Sequence, residues 1–143
     1  MDLDLKGKKV LVTGSSRGIG LKIAHAFVEE ESTVISNGRD KEILDSSIFE
    51  LNGCFGIAAD VSDPKQAKIL VEKAVEKIGG IDILVCNVGN GSSVLPGKES
   101  YNEWQNSLAV NFFSTTNMVE ASITELKKTK GSIVCISSIC GHE

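Results

Sequence analysis

The stretch Lys9–Gly20, "KVLVTGSSRGIG", decides the fold. Its first five residues, Lys9–Thr13, form a short β-branched apolar run, which reads as a strand. The run passes directly into "TGSSRGIG", Thr13–Gly20, and then into helical spacing, with Ile19, Ile23 and Phe27 each four apart. Glycines at 14, 18 and 20 lack the Cβ that would keep a bound group off the backbone. A helix start offers unpaired N–H groups and the positive end of the macrodipole, which suits a pyrophosphate. The spacing T-G-x-x-x-G-x-G does not fit G-x-x-x-x-G-K-[ST], which disfavours a P-loop NTPase. It also differs from the common G-x-G-x-x-G. Taken alone, the loop can also be read as a tight turn with no ligand.

Working outward, four more short runs follow: Thr33–Ser36 "TVIS", Phe55–Ala59 "FGIAA", Ile81–Cys86 "IDILVC" and Ser132–Ser137 "SIVCIS". Each is apolar and bounded by turn residues, as strands buried on both faces should be. Helical spacing fills the gaps. Leu44, Ile48 and Leu51 make one stripe, and Ala67, Leu70, Val71, Ala74, Val75 and Ile78 make another. Asp63 before Pro64 predicts an N-cap, and Gly79 a helix end. A last helical stretch is predicted from about Tyr101 to Lys128, with Phe112, Val119, Ile123 and Leu126 as its core stripe. Strictly alternating strand and helix implies right-handed crossovers. The predicted fold class is α/β, a doubly wound parallel sheet (Rossmann fold); the order of its five strands, 3-2-1-4-5, is what the family resemblance described below implies. Residues 1–143 are read as a single dinucleotide-binding domain.

The bulk properties exclude several classes. A net charge of −4 gives no electrostatic case for nucleic acid or an anionic membrane. No apolar run reaches the length of a membrane span. The start, "MDLDLKGKK", carries no apolar leader, so a soluble cytoplasmic protein is expected. Cys54, Cys86, Cys135 and Cys140 form no C-x-x-C pair and are expected to be buried, reduced thiols. His25 and His142 have no ligand-like neighbours, so no metal site is expected.

The remaining motifs make the chain resemble the N-terminal part of a short-chain dehydrogenase/reductase. They are "TGSSRGIG" after the first strand, "DV" at Asp60–Val61 after the third, and "NVG" at Asn87–Gly89 after the fourth. Asn111 in the long helix and "ISS" at Ile136–Ser138 after the fifth strand complete the set. All but Asn111 fall at or just past the C-terminal end of a strand, the edge at which open parallel sheets bind ligands. The resemblance implies an oxidoreductase that moves hydride between a nicotinamide cofactor and a small carbonyl/alcohol substrate. It implies that Gly14, Ser16, Arg17, Gly18, Ile19 and Gly20 surround the cofactor's phosphates and adenosine ribose. Asp60 would then accept from the adenine amino group and Val61 line the ring; on its own, Asp60 reads as a turn or capping aspartate, and the family context gives it the adenine role. Asn87 and Gly89 match the second Asn and the Gly of the family's "NNAG", where this chain has Cys86 and Val88 at the other places.

An NAD-selective fold usually carries a carboxylate at the end of the second strand. Here that stretch is "SNGRD", Ser36–Asp40, with Arg39 at the decisive position and Arg17 inside the glycine loop. Guanidinium groups bind phosphate in charge-assisted pairs, so NADP(H) is expected over NAD(H), with Asp40 as the N-cap of the next helix.

Asn111 interrupts the last helix between "SLAV" and "FFSTT", as a cap or a kink. The family resemblance makes it the asparagine that kinks this helix and helps hold a water of the proton relay. Ser138 matches the catalytic serine, which hydrogen-bonds the reacting oxygen. In the family the proton moves through a Y-x-x-x-K motif about 13 residues further on, which would begin near position 151. Tyr101 is the only tyrosine here, and Gln105 follows it where the lysine would stand. The chain is therefore expected to lack the family's C-terminal strands, to leave its fifth strand as an open edge, and to be inactive alone. The complete protein is expected to be a homodimer or homotetramer. The alternatives are a non-catalytic dinucleotide-binding fragment or regulator, and a methyltransferase of similar sheet order. Arg39 disfavours the methyltransferase, since an acidic residue is expected at that strand end. The loop Gly89–Ser100 is expected to shape part of the substrate wall.

Overall fold

The computed structural model describes residues 3–91 and 94–138. The elements are β1 (Lys9–Val12), α1 (Gly18–Glu29), β2 (Thr33–Gly38), α2 (Lys41–Ile48), β3 (Cys54–Ala58), α3 (Pro64–Ile78) and β4 (Ile83–Cys86). After them come α4 (Tyr101–Leu108), a π-turn (Ala109–Phe113), α5 (Ser114–Thr129) and β5 (Ser132–Cys135). The strands form one sheet in the order β3-β2-β1-β4-β5, with every pairing parallel. This is the doubly wound sheet that the alternation predicts.

The pleat divides the interior in two. Leu11, Ile35, Leu84 and Cys86 face one layer, where they pack with Ala67, Leu70, Val71 and Ala74 of α3 and with Met118 and Leu126 of α5. Val10, Val12, Val34 and Val85 face the other, with Ala24 of α1 and Ile48 of α2. Alternate residues of one strand thus serve opposite cores, which is why the central strands read as continuous apolar runs.

Local chemistry sets several ends. Asp40 caps α2 by accepting from the Ile43 N–H at 3.0 Å, and Asp63 caps α3 by accepting from the Lys65 N–H at 2.8 Å. That second bond holds the Asp63 carboxyl below the usual carboxylate range. Gly79 closes α3 in the left-handed conformation.

Several expectations change. β2 runs two residues further than its apolar stretch, because Asn37 and Gly38 pair with Ile57 and Ala58. β4 starts at Ile83 rather than Ile81, and β5 ends at Cys135 rather than Ser137. β5 is not buried on both faces but exposed along its length, since it pairs only with β4. The stripe of the last helix also moves. Phe112 and Ile123 are exposed, and α5 instead buries Ser114, Met118, Ser122 and Leu126, each four apart. The π-turn inserts an extra residue into one turn and so rotates the buried face. Of the cysteines, Cys54 and Cys86 are buried as expected, whereas Cys135 is exposed. Cys140 and His142 lie outside the described residues.

Candidate functional site

The glycine loop is held from below by buried polar groups. The Thr13 N–H donates to the Val85 carbonyl at 3.0 Å, and the Asn87 N–H donates to Thr13 Oγ1 at 3.0 Å. The Asn87 side-chain amide donates to the carbonyls of Thr13 and Gly14 at 3.2 and 3.1 Å. Asn87 therefore ties the end of β4 to the loop after β1. Gly14 sits at φ +61°, where a side chain would be strained. A Cβ on Gly20 would collide with the Gly14 carbonyl oxygen and the Asn87 amide nitrogen. Only glycine lets α1 begin this close to the loop.

A second tie links β1, β2 and β3. Ser15 Oγ donates to the Val12 carbonyl at 2.7 Å and accepts from the Asn37 N–H at 2.9 Å. The Asn37 side-chain amide donates to the carbonyls of Ile57 and Ala59, both at 3.1 Å. Asn117 of α5 adds a third tie, donating to the carbonyls of Val61 and Ser62, both at 3.1 Å. The sequence reading assigned no role to Thr13, Ser15, Asn37 or Asn117. Their signal is a small polar residue at a strand end or on a buried helix face, and each partner lies far along the chain.

These ties frame one cleft at the C-terminal edge of the sheet. All eleven residues expected to hold the cofactor line it: Gly14, Ser16, Arg17, Gly18, Ile19, Gly20, Arg39, Asp60, Val61, Asn87 and Gly89. Arg17 precedes α1 in extended conformation, with no side-chain cap on the helix start. Arg17 and Arg39 are exposed, and neither is ion-paired among the described residues. Ile19 is 67% exposed, an apolar side chain presented to the cleft rather than to the core. Asp60 Oδ1 accepts from the Ser62 N–H and hydroxyl at 3.0 and 2.6 Å, so this carboxylate also shapes its own turn.

The remaining two candidates lie outside that lining. Asn111 stands in the π-turn, where its Oδ1 accepts from the Asn90 N–H at 2.7 Å and its Nδ2 donates to Ser107 Oγ at 3.4 Å. It therefore both marks the kink and holds the loop after β4. Ser138 is exposed, just past β5, on the same sheet edge as Asn87. Tyr101 accepts from Gln105 Nε2 at 2.9 Å on an exposed turn of α4 and lines neither this cleft nor the cavity beside Asn111. Among the described residues no three His, Cys, Asp or Glu side chains gather as a metal site, and no helix is long and apolar enough to cross a membrane.

At the adjacent strand, Cys86 and Cys135 are register partners of β4 and β5. Burial, and secondarily the Cys135 thiol beside it, push the Cys86 thiol up to about 12. It is therefore a neutral packing group at neutral pH. Burial also raises the Cys54 thiol, against an opposing hydrogen bond to Ser36.

Known proteins share this architecture. The chain is 40% identical over 145 residues to "Uncharacterized oxidoreductase YvrD" of Bacillus subtilis, covering 99% of this chain and 55% of that protein. It is 38% identical over 144 residues to the 3-oxoacyl-[acyl-carrier-protein] reductase FabG of Thermotoga maritima, covering 96% and 58%. A short-chain type dehydrogenase/reductase from Mycobacterium marinum superposes with a TM-score of 0.93 at 30% identity, covering all of this chain and 62% of that one. The chain thus spans little more than half the length of the curated relatives it matches. Residues 8–143 match the short chain dehydrogenase family, and the chain belongs to it.

Proposed function

We propose that these residues are the NADP(H)-binding part of an oxidoreductase acting on a carbonyl/alcohol pair. One observation carries the reading: the glycine loop, two unpaired arginines and Asp60 all open onto a single cleft at the strand ends. The cleft fits a dinucleotide, because a Cβ at Gly18 would meet no described atom within 4 Å, which leaves the loop backbone there open to a phosphate. When bound, the nicotinamide supplies or accepts the hydride. The chain's own residues do the rest. Backbone N–H groups at the start of α1 meet the pyrophosphate. Arg39 and Arg17 pair with the 2′-phosphate. Asp60 and Val61 border the adenine, and Asn87 keeps the loop in place. Ser138 donates to the reacting oxygen, and Asn111 fixes the loop beside it. We assign the proton transfer to a tyrosine outside the described residues, because the hydroxyl of Tyr101 is turned to Gln105 on an exposed helix.

The test is a pair of cofactor titrations followed by nicotinamide fluorescence. NADPH is expected to bind more tightly than NADH. Arg39→Asp should weaken NADPH by about 1.5–3 kcal/mol, the worth of a charged hydrogen bond, and affect NADH much less. Equal dissociation constants in the parent would overturn the 2′-phosphate assignment.

A further inference from the structure

Beside the cofactor cleft lies a second cavity, of about 510 Å³, lined among the described residues by Asn90, Val94 and Glu99 on one side and by α4 and the π-turn on the other. Asn90 and Val110 line both spaces, so the two are adjacent. A molecule whose reacting carbon lies at the nicotinamide end can therefore extend the rest of its body into this cavity.

The wall of the cavity has a definite chemistry. Trp104, which is 59% exposed, is among the lining residues, and Val94 and Val110 supply further apolar surface. Among the described residues, the charged lining groups are Glu99 and Glu103, with no lysine or arginine beside them. Both carboxylates are fixed in place. Glu103 Oε2 accepts from the Ser100 N–H at 2.6 Å in a capping box, and Glu99 Oε2 accepts from the Gly97 N–H at 2.8 Å. They cannot swing away from an incoming anion without giving up those bonds.

We propose that this cavity takes the non-reacting end of the substrate and selects a ring-bearing group that is cationic or neutral over one that is anionic. An indole face attracts a ring by stacking and a cation through its quadrupole. Two fixed carboxylates repel an anion of the same shape, so discrimination comes from charge as well as contact. The inference rests on the oxidoreductase reading above, because it makes the cavity an extension of that reaction site.

Trp104 is the only tryptophan in the chain, so its fluorescence reports on this cavity directly. The full chain, without cofactor, is titrated with benzylamine, benzyl alcohol and benzoate, three ring probes of similar size. Saturable quenching is expected with benzylamine and benzyl alcohol, and at least about tenfold weaker binding of benzoate. In Glu99→Gln/Glu103→Gln, which keeps the capping box, the gap between benzylamine and benzoate should close to within about threefold and should no longer depend on salt. Three probes of equal affinity, an absence of saturable quenching, or a charge preference that survives the double substitution would each overturn the proposal. NADPH binding is followed separately by its own fluorescence. If NADPH binds but the ring probes fail, only the cavity assignment falls. If NADPH does not bind, the cofactor reading falls and takes this inference with it.

Discussion

On one side of β1, the ends of β1, β2 and β3 are tied together by Ser15 and Asn37, which are 0% and 1% exposed. On the other side, β5 is exposed along its whole length and α4 buries no residue. The first side carries Ser16, Arg17, Arg39 and Asp60, the residues proposed to grip the adenosine phosphates. The second carries Ser138 and borders Asn111, the residues proposed to meet the reacting oxygen and the loop beside it. Buried, fully paired polar groups fix backbone positions closely, because leaving any of them unpaired is costly. The comparison teaches where each kind of damage should appear. Changes on the β2–β3 side should shift stability and cofactor affinity together, whereas changes at the β5 end should shift chemistry with the fold left intact.

The largest expected effect tests the second half of that statement. Ser138→Ala, in the full-length enzyme, should lower kcat by about 10²–10³, the usual cost of removing one donor to a developing oxyanion. Because the interaction is made in the transition state, kcat/KM should fall by the same factor. NADPH affinity and the unfolding midpoint should stay at parent values. Steady-state rates beside a cofactor titration check this. Wild-type turnover in the variant would return Ser138 to an ordinary strand-end serine, and a shifted unfolding midpoint would erase the contrast between the two sides.

The next effect is a pair. Asn37→Leu removes the amide that satisfies the Ile57 and Ala59 carbonyls, and stranding them should cost about 1–3 kcal/mol of unfolding free energy. NADPH affinity should fall as well, since Ala59 leads into Asp60. Ile133→Thr, on exposed β5, should change stability by no more than about 0.5 kcal/mol. Urea denaturation of both variants measures the difference, and equal losses would show that the two sides are held alike.

The elements that the sequence made legible are those whose signals are local. β1 and the glycine loop are adjacent in the chain, and the caps Asp40, Asp63 and Gly79 act on residues within four positions. The parallel, doubly wound class followed from alternation, through the handedness of crossovers, whereas the strand order came from the family resemblance. All eleven cofactor candidates could be placed because each lies in the loop or first helical turn that follows a strand, and parallel strands bring their ends to one edge. Ser15 and Asn37 escaped notice because they are 22 positions apart, and nothing in either neighbourhood names the other. Asn117 reaches back more than fifty residues to Val61. Phe112 and Ile123 were misplaced for a different reason: a count of helical spacing runs straight through the π-turn, although the turn changes the face. Asn111 was recognised as an interruption, but its bond to the Asn90 N–H needed the folded loop. The second cavity was likewise not legible, because its lining joins Asn90, Val94 and Glu99 to residues of α4 and the π-turn that only the folded chain brings together.

The last expected effect, absent at neutral pH, lies where the two sides meet, at Cys86 on buried β4 beside Cys135 on exposed β5. The folded Cys86 thiol titrates at about 12, mainly because of burial, while an unfolded cysteine titrates at about 8.5. A raised folded value means that the native state holds its proton where the unfolded chain releases it. The stabilisation is therefore complete below the unfolded value and is lost as the pH rises toward 12. Unfolding free energy should fall by about 1.4 kcal/mol for each pH unit above roughly 8.5, relative to a chain without this thiol. Lysine and tyrosine groups also titrate in that range, so the comparison must be a difference between chains. Urea unfolding of the parent and of Cys86→Ala, from pH 7 to 10, isolates the contribution, with the variant showing the shallower decline. Cys135→Ala should retain most of the parent's slope, because the neighbouring thiol is the lesser cause and burial the greater. If Cys135→Ala flattened the curve as fully as Cys86→Ala, the shift would come from the thiol pair rather than from burial. The boundary between the two sides would then lie within β4 itself.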